Sequence, residues 1–271
     1  MKENIEQRIG LIAGSGEIPK ILALKALKMG IKVISISMTQ EIGEVLAPHV
    51  QKDYSIWIGR PQKIFDTFRS ENVSQFLLAG KFEKKMVFQL QMFDITALKI
   101  LGRLATRQDK AILEECILFA EEEGFTVLDQ KQYLNELFPG KGILTRKKPG
   151  KIEMEDIDFG VSIARDMADQ EIGQTIVVKN KTVIAVEGVE GTDLTIERGC
   201  ELANGKCVAI KVSRTNQDYR YDCPGIGPKT VETLVKGNAS ALALEAERVM
   251  IVERERVVKM ADEAGLSIIC V

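Results

Sequence analysis

Short apolar runs alternate with amphipathic stretches through the first half of the chain. Four of these runs have the length of buried strands: Arg8–Ala13, Lys32–Ser37, 54–58 and Gln75–Ala79. Residues 17–29 and 61–72 instead repeat apolar positions with helical spacing, and glycine or proline bounds each stretch. Because strands that alternate with helices form βαβ units, this half is predicted to be a Rossmann-like domain with a parallel sheet.

The most apolar stretch of this half lies at 86–104 and has the length of a long helix. It suits three roles: a buried core helix, a groove for an acyl chain, or the face of a homodimer. Four polar residues within it argue against a membrane span: Gln89, Gln91, Asp94 and Lys99. No apolar run in the chain reaches the roughly 20 residues that a spanning helix needs. A second helix is predicted at 109–123, before a short strand at 125–128.

The composition changes between 139 and 156, where proline, glycine and lysine accumulate. Such a stretch is typical of a linker, so we predict a boundary at 148–156 between an N-terminal domain, 1–150, and a C-terminal domain, 157–271. A hairpin predicted at 175–187 makes the second domain a mixed α/β arrangement. Its other elements are predicted helices at 157–168, 191–203, 229–236 and 254–264, and strands at 207–212, 249–252 and 266–271.

Charge and residue counts exclude several classes of function. The chain carries 37 Lys and Arg against 39 Asp and Glu, so it lacks the basic excess typical of nucleic-acid binding. Its five cysteines form no C-x-x-C pair, and the charged N-terminus does not read as a signal peptide, which together indicate a cytoplasmic protein with reduced thiols. The single histidine, His49, argues against a zinc site. A metal would therefore be held by carboxylates, which favours Mg²⁺ or Mn²⁺.

A glycine-rich turn, Gly14-Ser15-Gly16, follows the first predicted strand. Glycines between a strand and a helix allow backbone N–H groups to approach a phosphate. The dinucleotide fingerprint is only partly met, since Pro19 takes the place of its third glycine and no acidic residue ends the second strand. Two interpretations stay open: contact with a nucleotide or phosphate, which includes an NAD(P)-binding oxidoreductase, and a turn whose glycines serve packing alone.

Carboxylates and a threonine crowd a predicted helix start in the second half, at Glu187, Glu190, Thr192 and Asp193. Either Thr192 or Asp193 is a plausible N-cap, and capping by itself explains one of these residues. The remaining residues exceed what a cap needs, and backbone donors beside carboxylates suit a phosphate with its Mg²⁺. The sequence leaves the capping and the binding interpretations open.

Charged and aromatic residues alternate at 218–222, just before a Pro/Gly-rich turn. If this segment is extended, Asp218, Arg220 and Asp222 share one face, and the two aspartates lie about 13 Å apart, too far to chelate one ion together. Asp222, beside the turn, is then the candidate for binding a metal or orienting a water, and a salt-bridged surface strand is the alternative. Lys211, at the end of the preceding predicted strand, is either an ordinary surface charge or a contact for a negative substrate.

These motifs resemble those of the UDP-2,3-diacylglucosamine pyrophosphatase family of lipid A biosynthesis, the type unrelated to metallophosphoesterases. The resemblance is strongest in AVEGVEGTDLTIERG at 185–199 and QDYRYDCPGIGPKT at 217–230. The N-terminal GLIAGSGEIP and the run Leu78-Ala79-Gly80-Lys81 also match family motifs. Together the matching segments extend over nearly the whole chain.

The resemblance implies a two-domain hydrolase of UDP-2,3-diacylglucosamine. Water would attack the α-phosphorus, giving UMP and 2,3-diacylglucosamine 1-phosphate (lipid X), with Mg²⁺ or Mn²⁺ as cofactor. Asp222 would position the metal and the water, supported by Asp218 and Arg220. Contacts with the lipid-linked UDP-sugar would come from Gly14, Ser15, Gly80, Lys81, Asp109, Gln174, Glu190, Thr192, Asp193, Lys211 and Gln217. The enzyme would be cytoplasmic, with transient contact to the inner-membrane surface, and a homodimer is a further expectation.

The sequence departs from the family pattern at two places. Arg107-Gln108-Asp109 stands where a Gly-Asp-Asp is expected, so only Asp109 carries over, and 213–216 replaces an expected Lys-Pro-Gly. Two other functions therefore stay as alternatives: an NAD(P)-binding oxidoreductase, and a non-catalytic sensor that binds a nucleotide-lipid without turning it over.

Overall fold

The computed structural model of the chain describes residues 7–82, 93–104 and 109–271, which separate into two α/β units. The N-terminal unit contains the described residues up to Leu134 and, in addition, the later segment Asp218–Asp222. The C-terminal unit contains Asn135–Gln217 and Cys223–Val271. The predicted two-domain α/β architecture is thus confirmed, although one short segment belongs to a different unit from its neighbours in sequence.

Five parallel strands form the sheet of the N-terminal unit, in the order β3-β2-β1-β4-β5. The strands are β1 (Arg8–Ala13), β2 (Lys32–Ser37), β3 (Lys52–Ser55), β4 (Gln75–Ala79) and β5 (Thr126–Val127). The helices are α1 (Ile18–Lys28), α2 (Gln40–Leu46), α3 (Pro61–Ser70), α4 (Ile95–Gly102), α5 (Asp109–Glu122) and α6 (Lys131–Leu134). The central strands are almost fully buried, which explains why they appear as continuous apolar runs in the sequence.

The strand order places a topological switch point beside β1. From β1 the chain continues to β2 on one side, and it returns to β4 on the other side. In open α/β sheets the crevice outside the carboxyl ends of such strands is the usual ligand position. The turns that follow Ala13 and Ala79 therefore lie where this fold most often binds ligands.

The C-terminal unit has a mixed sheet of six strands in the order β6-β13-β11-β9-β7-β8, which confirms the predicted mixed α/β character. Its strands are β6 (Gly142–Ile143), β7 (Thr175–Lys179), β8 (Thr182–Val186), β9 (Val208–Lys211), β11 (Ala241–Leu244) and β13 (Ser267–Cys270), with β10 (Gly225–Ile226) and β12 (Met250–Ile251) forming a separate parallel pair. Its helices are α7 (Lys151–Asp169), α8 (Thr192–Ala203), α9 (Pro228–Lys236) and α10 (Arg254–Ala264). Strands β9, β11 and β13 are parallel, whereas β7 and β8 form the antiparallel hairpin that the sequence predicted.

The Pro/Gly/Lys-rich stretch at 139–156 belongs to the C-terminal unit. Its β6 pairs antiparallel with β13, and the Arg146 N–H donates to the Asp262 carboxylate at 2.7 Å. The two units accordingly divide after Leu134, earlier than the boundary at 148–156 that composition indicated. Composition alone marked this stretch as a linker because the partners that fix it lie more than 100 residues away in sequence.

The apolar stretch at 86–104 is described only in part, since 86–92 lies outside the described residues. Helix α4 begins at Ile95 because the Asp94 carboxylate caps it, accepting from the Ala97 N–H at 2.8 Å. Ile100 packs into the core of the unit, whereas Ile95 is 74% exposed. The roles of this stretch as an acyl-chain groove or a dimer face stay predictions. No helix among the described residues has the length and apolarity needed to cross a membrane.

The buried Asp156 carboxylate fixes the turn of the β7–β8 hairpin. Asn180 and Lys181 adopt φ of 50° and 56°, as a type I′ turn requires, and their N–H groups donate to Asp156 at 3.0 and 2.6 Å. Asp156→Ala removes both acceptors, and we expect a loss of about 2 kcal/mol in the free energy of unfolding, measured in urea. Asp158→Ala, an exposed position on the same helix, is the control and should change stability little. Equal effects of the two substitutions would contradict the role assigned to Asp156.

Candidate functional site

The two glycine-containing turns at the switch point of the N-terminal unit, which follow β1 and β4, are joined by backbone hydrogen bonds. The Gly14 N–H donates to the Ala79 carbonyl at 2.8 Å, and Ser15 and Lys81 exchange two backbone hydrogen bonds at 3.0 and 2.8 Å. A Cβ on Gly14 would lie 2.5 Å from the Lys81 carbonyl oxygen, and Gly80 has a φ of +92° that favours glycine. The structure thus brings together four predicted contact residues, Gly14, Ser15, Gly80 and Lys81.

Packing accounts for Gly14 and Gly80, because both glycines permit this close approach of two turns. The N–H groups of Gly14 and Ser15 are engaged by protein carbonyls, so a phosphate at this edge would depend on other donors. The exposed Lys81 side chain supplies a positive charge at the same place. The contact of these residues with a ligand stays a prediction.

A second group of candidate residues surrounds Lys211 at one edge of the C-terminal sheet. Lys211 ends β9 directly opposite Thr175, the first residue of β7, and Glu187 follows the end of β8. The Lys211 Nζ donates to the Thr192 hydroxyl at 2.7 Å and to the Thr175 hydroxyl at 3.3 Å, and lies 3.9 Å from the Glu187 carboxylate. Lys211 is only 5% exposed, so the interpretation of this lysine as an ordinary surface charge is wrong.

Glu187 links the members of this cluster. Its carboxylate accepts from the Thr192 hydroxyl at 3.0 Å and from the Gln174 N–H at 3.3 Å. The Gln174 side chain in turn donates to Gln217 at 3.4 Å, so three predicted contact residues join one network with Lys211. Thr175 was not predicted, and Glu187 was noted only as part of its motif. Because a buried lysine needs polar or charged partners, the burial of Lys211 is the signal that identifies Thr175 and Glu187.

Thr192 and Asp193 do not cap helix α8, because its N-cap is Gly191, with a φ of +82° and no side-chain cap. The Asp193 carboxylate instead accepts from the Thr230 hydroxyl at 2.9 Å. Glu190 pairs with Arg198 at 2.7 Å, and hydrogen bonds from the backbone and from Arg198 lower the pKa of the Glu190 carboxyl. The first turn of α8 therefore keeps its backbone N–H groups free of a side-chain cap, next to Thr192.

The segment 218–222 is a turn, so the extended conformation considered from the sequence is wrong. The Asp222 N–H donates to the Asp218 carbonyl at 3.2 Å, which closes the turn. The Asp218 carboxylate accepts from the Arg220 backbone N–H at 3.0 Å and from its guanidinium at 2.7 Å. The separation of about 13 Å expected for an extended segment therefore does not apply here.

The aromatic side chains of the turn contact the N-terminal unit. Tyr221 packs against its core, and its hydroxyl donates to Glu114 at 3.5 Å. The Lys131 ammonium lies 4.8 Å from the centre of the Tyr219 ring. These contacts explain why 218–222 belongs to the N-terminal unit.

The charge of Arg220 determines the ionisation of Asp218. Burial raises the pKa of the Asp218 carboxyl, but the hydrogen bonds and the positive charge of Arg220 outweigh that effect, so its pKa lies below the ordinary value. The ion pair is thus intact near neutral pH. Asp218 and Arg220 neutralise each other within the turn.

The lowered pKa of Asp218 predicts a pH dependence of stability. A carboxyl with a depressed folded pKa stabilises fully above its unfolded pKa, about 3.9, and loses this contribution as the pH falls through the folded value. The difference in Tm between wild type and Asp218→Asn should therefore be constant from about pH 7 to 5 and shrink below about pH 4. Thermal unfolding across this range checks it, and a difference that does not vary with pH would contradict it.

The donor set permits one mode of metal binding. The described residues contain no group of three His, Cys, Asp or Glu side chains arranged to hold a metal ion. Asp109 begins α5, but its side chain lies outside the described part of the structure. Mg²⁺ often takes one or two protein carboxylates and completes its coordination with waters and substrate phosphates. Asp222 fits that mode, and the described residues do not fit a site made by protein alone.

Known protein families match both halves of the chain. The chain matches the model of the LpxI N-terminal domain over residues 8–137 and that of the LpxI C-terminal domain over residues 140–269. It is 30% identical, over 97% of either chain, to UDP-2,3-diacylglucosamine pyrophosphatase LpxI of Caulobacter vibrioides. The resemblance predicted from the sequence motifs is therefore confirmed.

Solved structures show only weak similarity. Glycinamide-RNase-transformylase T of Mycobacterium tuberculosis aligns with 67% of this chain and 44% of its own, at 12% identity and a TM-score of 0.26. N5-carboxyaminoimidazole synthetase of Staphylococcus aureus aligns with 75% of this chain and 46% of its own, at 13% identity and the same TM-score. The chain spans less than half the length of either protein. Since the two domain models match it almost from end to end, this chain belongs to the LpxI family.

Proposed function

We propose that this protein hydrolyses UDP-2,3-diacylglucosamine to UMP and 2,3-diacylglucosamine 1-phosphate. The observation that carries the proposal is full-length similarity to a relative whose name is that of this pyrophosphatase. The cluster around Lys211 and the turn at 218–222 support it, because they contain the chemistry that a pyrophosphate requires. The described residues of the site contain no feature that favours an NAD(P)-dependent oxidoreductase.

The proposed reaction is displacement at the α-phosphorus. The water oxygen forms a bond to this phosphorus, and the bond from the phosphorus to the bridging oxygen breaks. UMP then carries the new oxygen, and the glucosamine phosphate leaves with the bridging oxygen. The Asp222 carboxylate orients the water and accepts its proton. Asp218 and Arg220 hold the turn from which Asp222 acts.

Charge that develops on the phosphate oxygens is stabilised by donors of the chain. The buried Lys211 ammonium donates to the Thr192 hydroxyl and contributes a positive charge beside it. The N–H groups in the first turn of α8, which begins at Thr192 and has no side-chain cap, would donate hydrogen bonds to phosphate oxygens. We assign the remaining substrate contacts to Gly14, Ser15, Gly80, Lys81, Asp109, Gln174, Glu190, Asp193 and Gln217.

A divalent cation, Mg²⁺ or Mn²⁺, would be held by Asp222 together with the substrate phosphates. When bound, such a cation neutralises phosphate charge and polarises the phosphorus centre. We further propose that the protein acts in the cytoplasm and touches the inner-membrane surface only to exchange its lipid substrate and product.

Hydrolysis in ¹⁸O-labelled water tests the substrate and the site of attack together. The purified chain is incubated with UDP-2,3-diacylglucosamine, detergent and Mg²⁺, with an EDTA control, and products are analysed by mass spectrometry. We expect UMP release that requires the cation, with the label in UMP. Label in the lipid phosphate would keep the substrate but reject attack at the α-phosphorus. Binding without product would favour the sensor function instead.

A further inference from the structure

The turn at 218–222 is held by side chains that nothing in the proposed mechanism uses. The backbone N–H of Gln130 donates to the Tyr219 carbonyl at 3.1 Å, and its side-chain amide donates to the Arg220 carbonyl at 3.4 Å. Gln130 is only 2% exposed, so its amide is a fixed donor directly beneath the turn. The backbone of the turn therefore rests on the segment that precedes α6.

Helix α5 provides a second attachment. The Arg220 guanidinium donates to the Glu121 carboxylate at 2.9 Å while its other nitrogens donate to Asp218 at 2.7 to 3.1 Å. Arg220 thus joins a carboxylate inside the turn to a carboxylate on α5. Since a guanidinium is planar and its donors have fixed directions, this double engagement determines the orientation of the turn.

The residues on either side of the turn are anchored in the other unit. Thr215 donates from its N–H and its hydroxyl to Asp169 at 2.6 and 2.7 Å, and the Pro224 carbonyl accepts from the Met250 N–H at 2.8 Å. Within the N-terminal unit the turn is held by contacts of its own. Glu121 and Gln130 hold Arg220 and the backbone of the turn, in addition to the contacts of Tyr219 and Tyr221.

We infer that Glu121 and Gln130 are positioning residues that hold the Asp222 carboxylate in its working place. This inference rests on the proposed function, because it takes Asp222 as the group that meets the water. Glu121 acts through Arg220 and does not touch the substrate. Its side chain is 43% exposed, and exposed ion pairs contribute little to stability, so its removal should affect geometry more than folding.

The test compares Glu121→Gln with Glu122→Gln. Glu122 is the next residue of α5 and pairs with a different arginine, Arg103, at 2.8 Å, so the control removes the same charge without touching the turn. For Glu121→Gln we expect kcat to fall by about 10- to 100-fold with KM within about twofold, because displacement of a reacting group costs this much. Glu122→Gln should keep the kcat of the wild type, and both variants should keep its Tm.

Hydrogen–deuterium exchange of the peptide that contains 218–222 gives a readout without substrate. Glu121→Gln should increase exchange at the Asp222 amide, whereas Glu122→Gln should leave it unchanged. Increased exchange with unchanged kcat would overturn the inference, as would unchanged exchange. If the wild type releases no UMP, the proposed function fails, and the exchange comparison still decides whether Glu121 holds the turn.

Discussion

Asp222→Asn is expected to lower kcat for hydrolysis of UDP-2,3-diacylglucosamine by about 10³-fold, the range of a lost general base. Asparagine keeps the size of the side chain and the backbone N–H that closes the turn on the Asp218 carbonyl. It removes the negative charge that would attract a cation and the oxygen that would accept the proton of water. The fold should persist, because this half-buried side chain forms no part of the three hydrophobic clusters of the described residues.

Steady-state kinetics with a Tm measurement checks this expectation. Asp66→Asn is the matched control, since Asp66 is an exposed aspartate of the same unit that forms a surface ion pair with Arg69 at 3.4 Å. Asp218→Asn should have an intermediate effect, because it loosens the turn without removing the reacting group. Turnover by Asp222→Asn at the rate of the wild type would remove Asp222 from the mechanism.

The N-terminal sheet could be predicted because its determinants are local. Each of its central strands is a short apolar run bounded by a turn signal, and parallel strands buried on both faces need no other pattern. The hairpin of the C-terminal unit could also be predicted from the sequence, since Asn180 occupies a turn position that favours asparagine. Strand β11 was missed, although Gly237 and Asn238 end the helix before it and its four residues are fully buried, because alternating alanine and leucine favours a helix over a strand.

The turn at 218–222 could not be predicted from its own residues. Its alternation of charged and aromatic side chains has the period of a strand. The contacts that override this pattern come from Glu121 and Gln130, about 90 to 100 residues earlier in the chain. One local signal does agree with the turn, because an aspartate readily accepts from the backbone N–H two residues later, as Asp218 does from Arg220.

The cluster around Lys211 was visible only as separate motifs. The sequence showed a lysine at a strand end and a group of carboxylates before a helix, with no sign that they meet. They meet because β7 and β9 are antiparallel neighbours, which brings the start of one strand beside the end of the other. A buried cation needs such partners, so Lys211 has a structural role in addition to the functional role that we propose for it.

Lys211→Met is expected to lower both stability and activity. It leaves the Glu187 carboxylate, 13% exposed, without its cation, and it leaves the Thr175 and Thr192 hydroxyls without their donor. Removing one partner of such a buried ion pair lowers the free energy of unfolding by about 3 kcal/mol. Loss of this charge and of the fixed Thr192 hydroxyl should also lower kcat/KM by about 100-fold.

The double variant Lys211→Met/Glu187→Gln separates the two effects. Removing the unpaired carboxylate should restore part of the lost stability, because an uncompensated buried charge is no longer present. It should not restore kcat/KM, since neither positive charge nor donor returns to Thr192. Lys148→Met, at an exposed position of the same unit, is the control and should match the wild type in both measurements. Recovery of activity together with stability would show that Lys211 serves the fold alone, and the substrate phosphates would then have to be met by other donors.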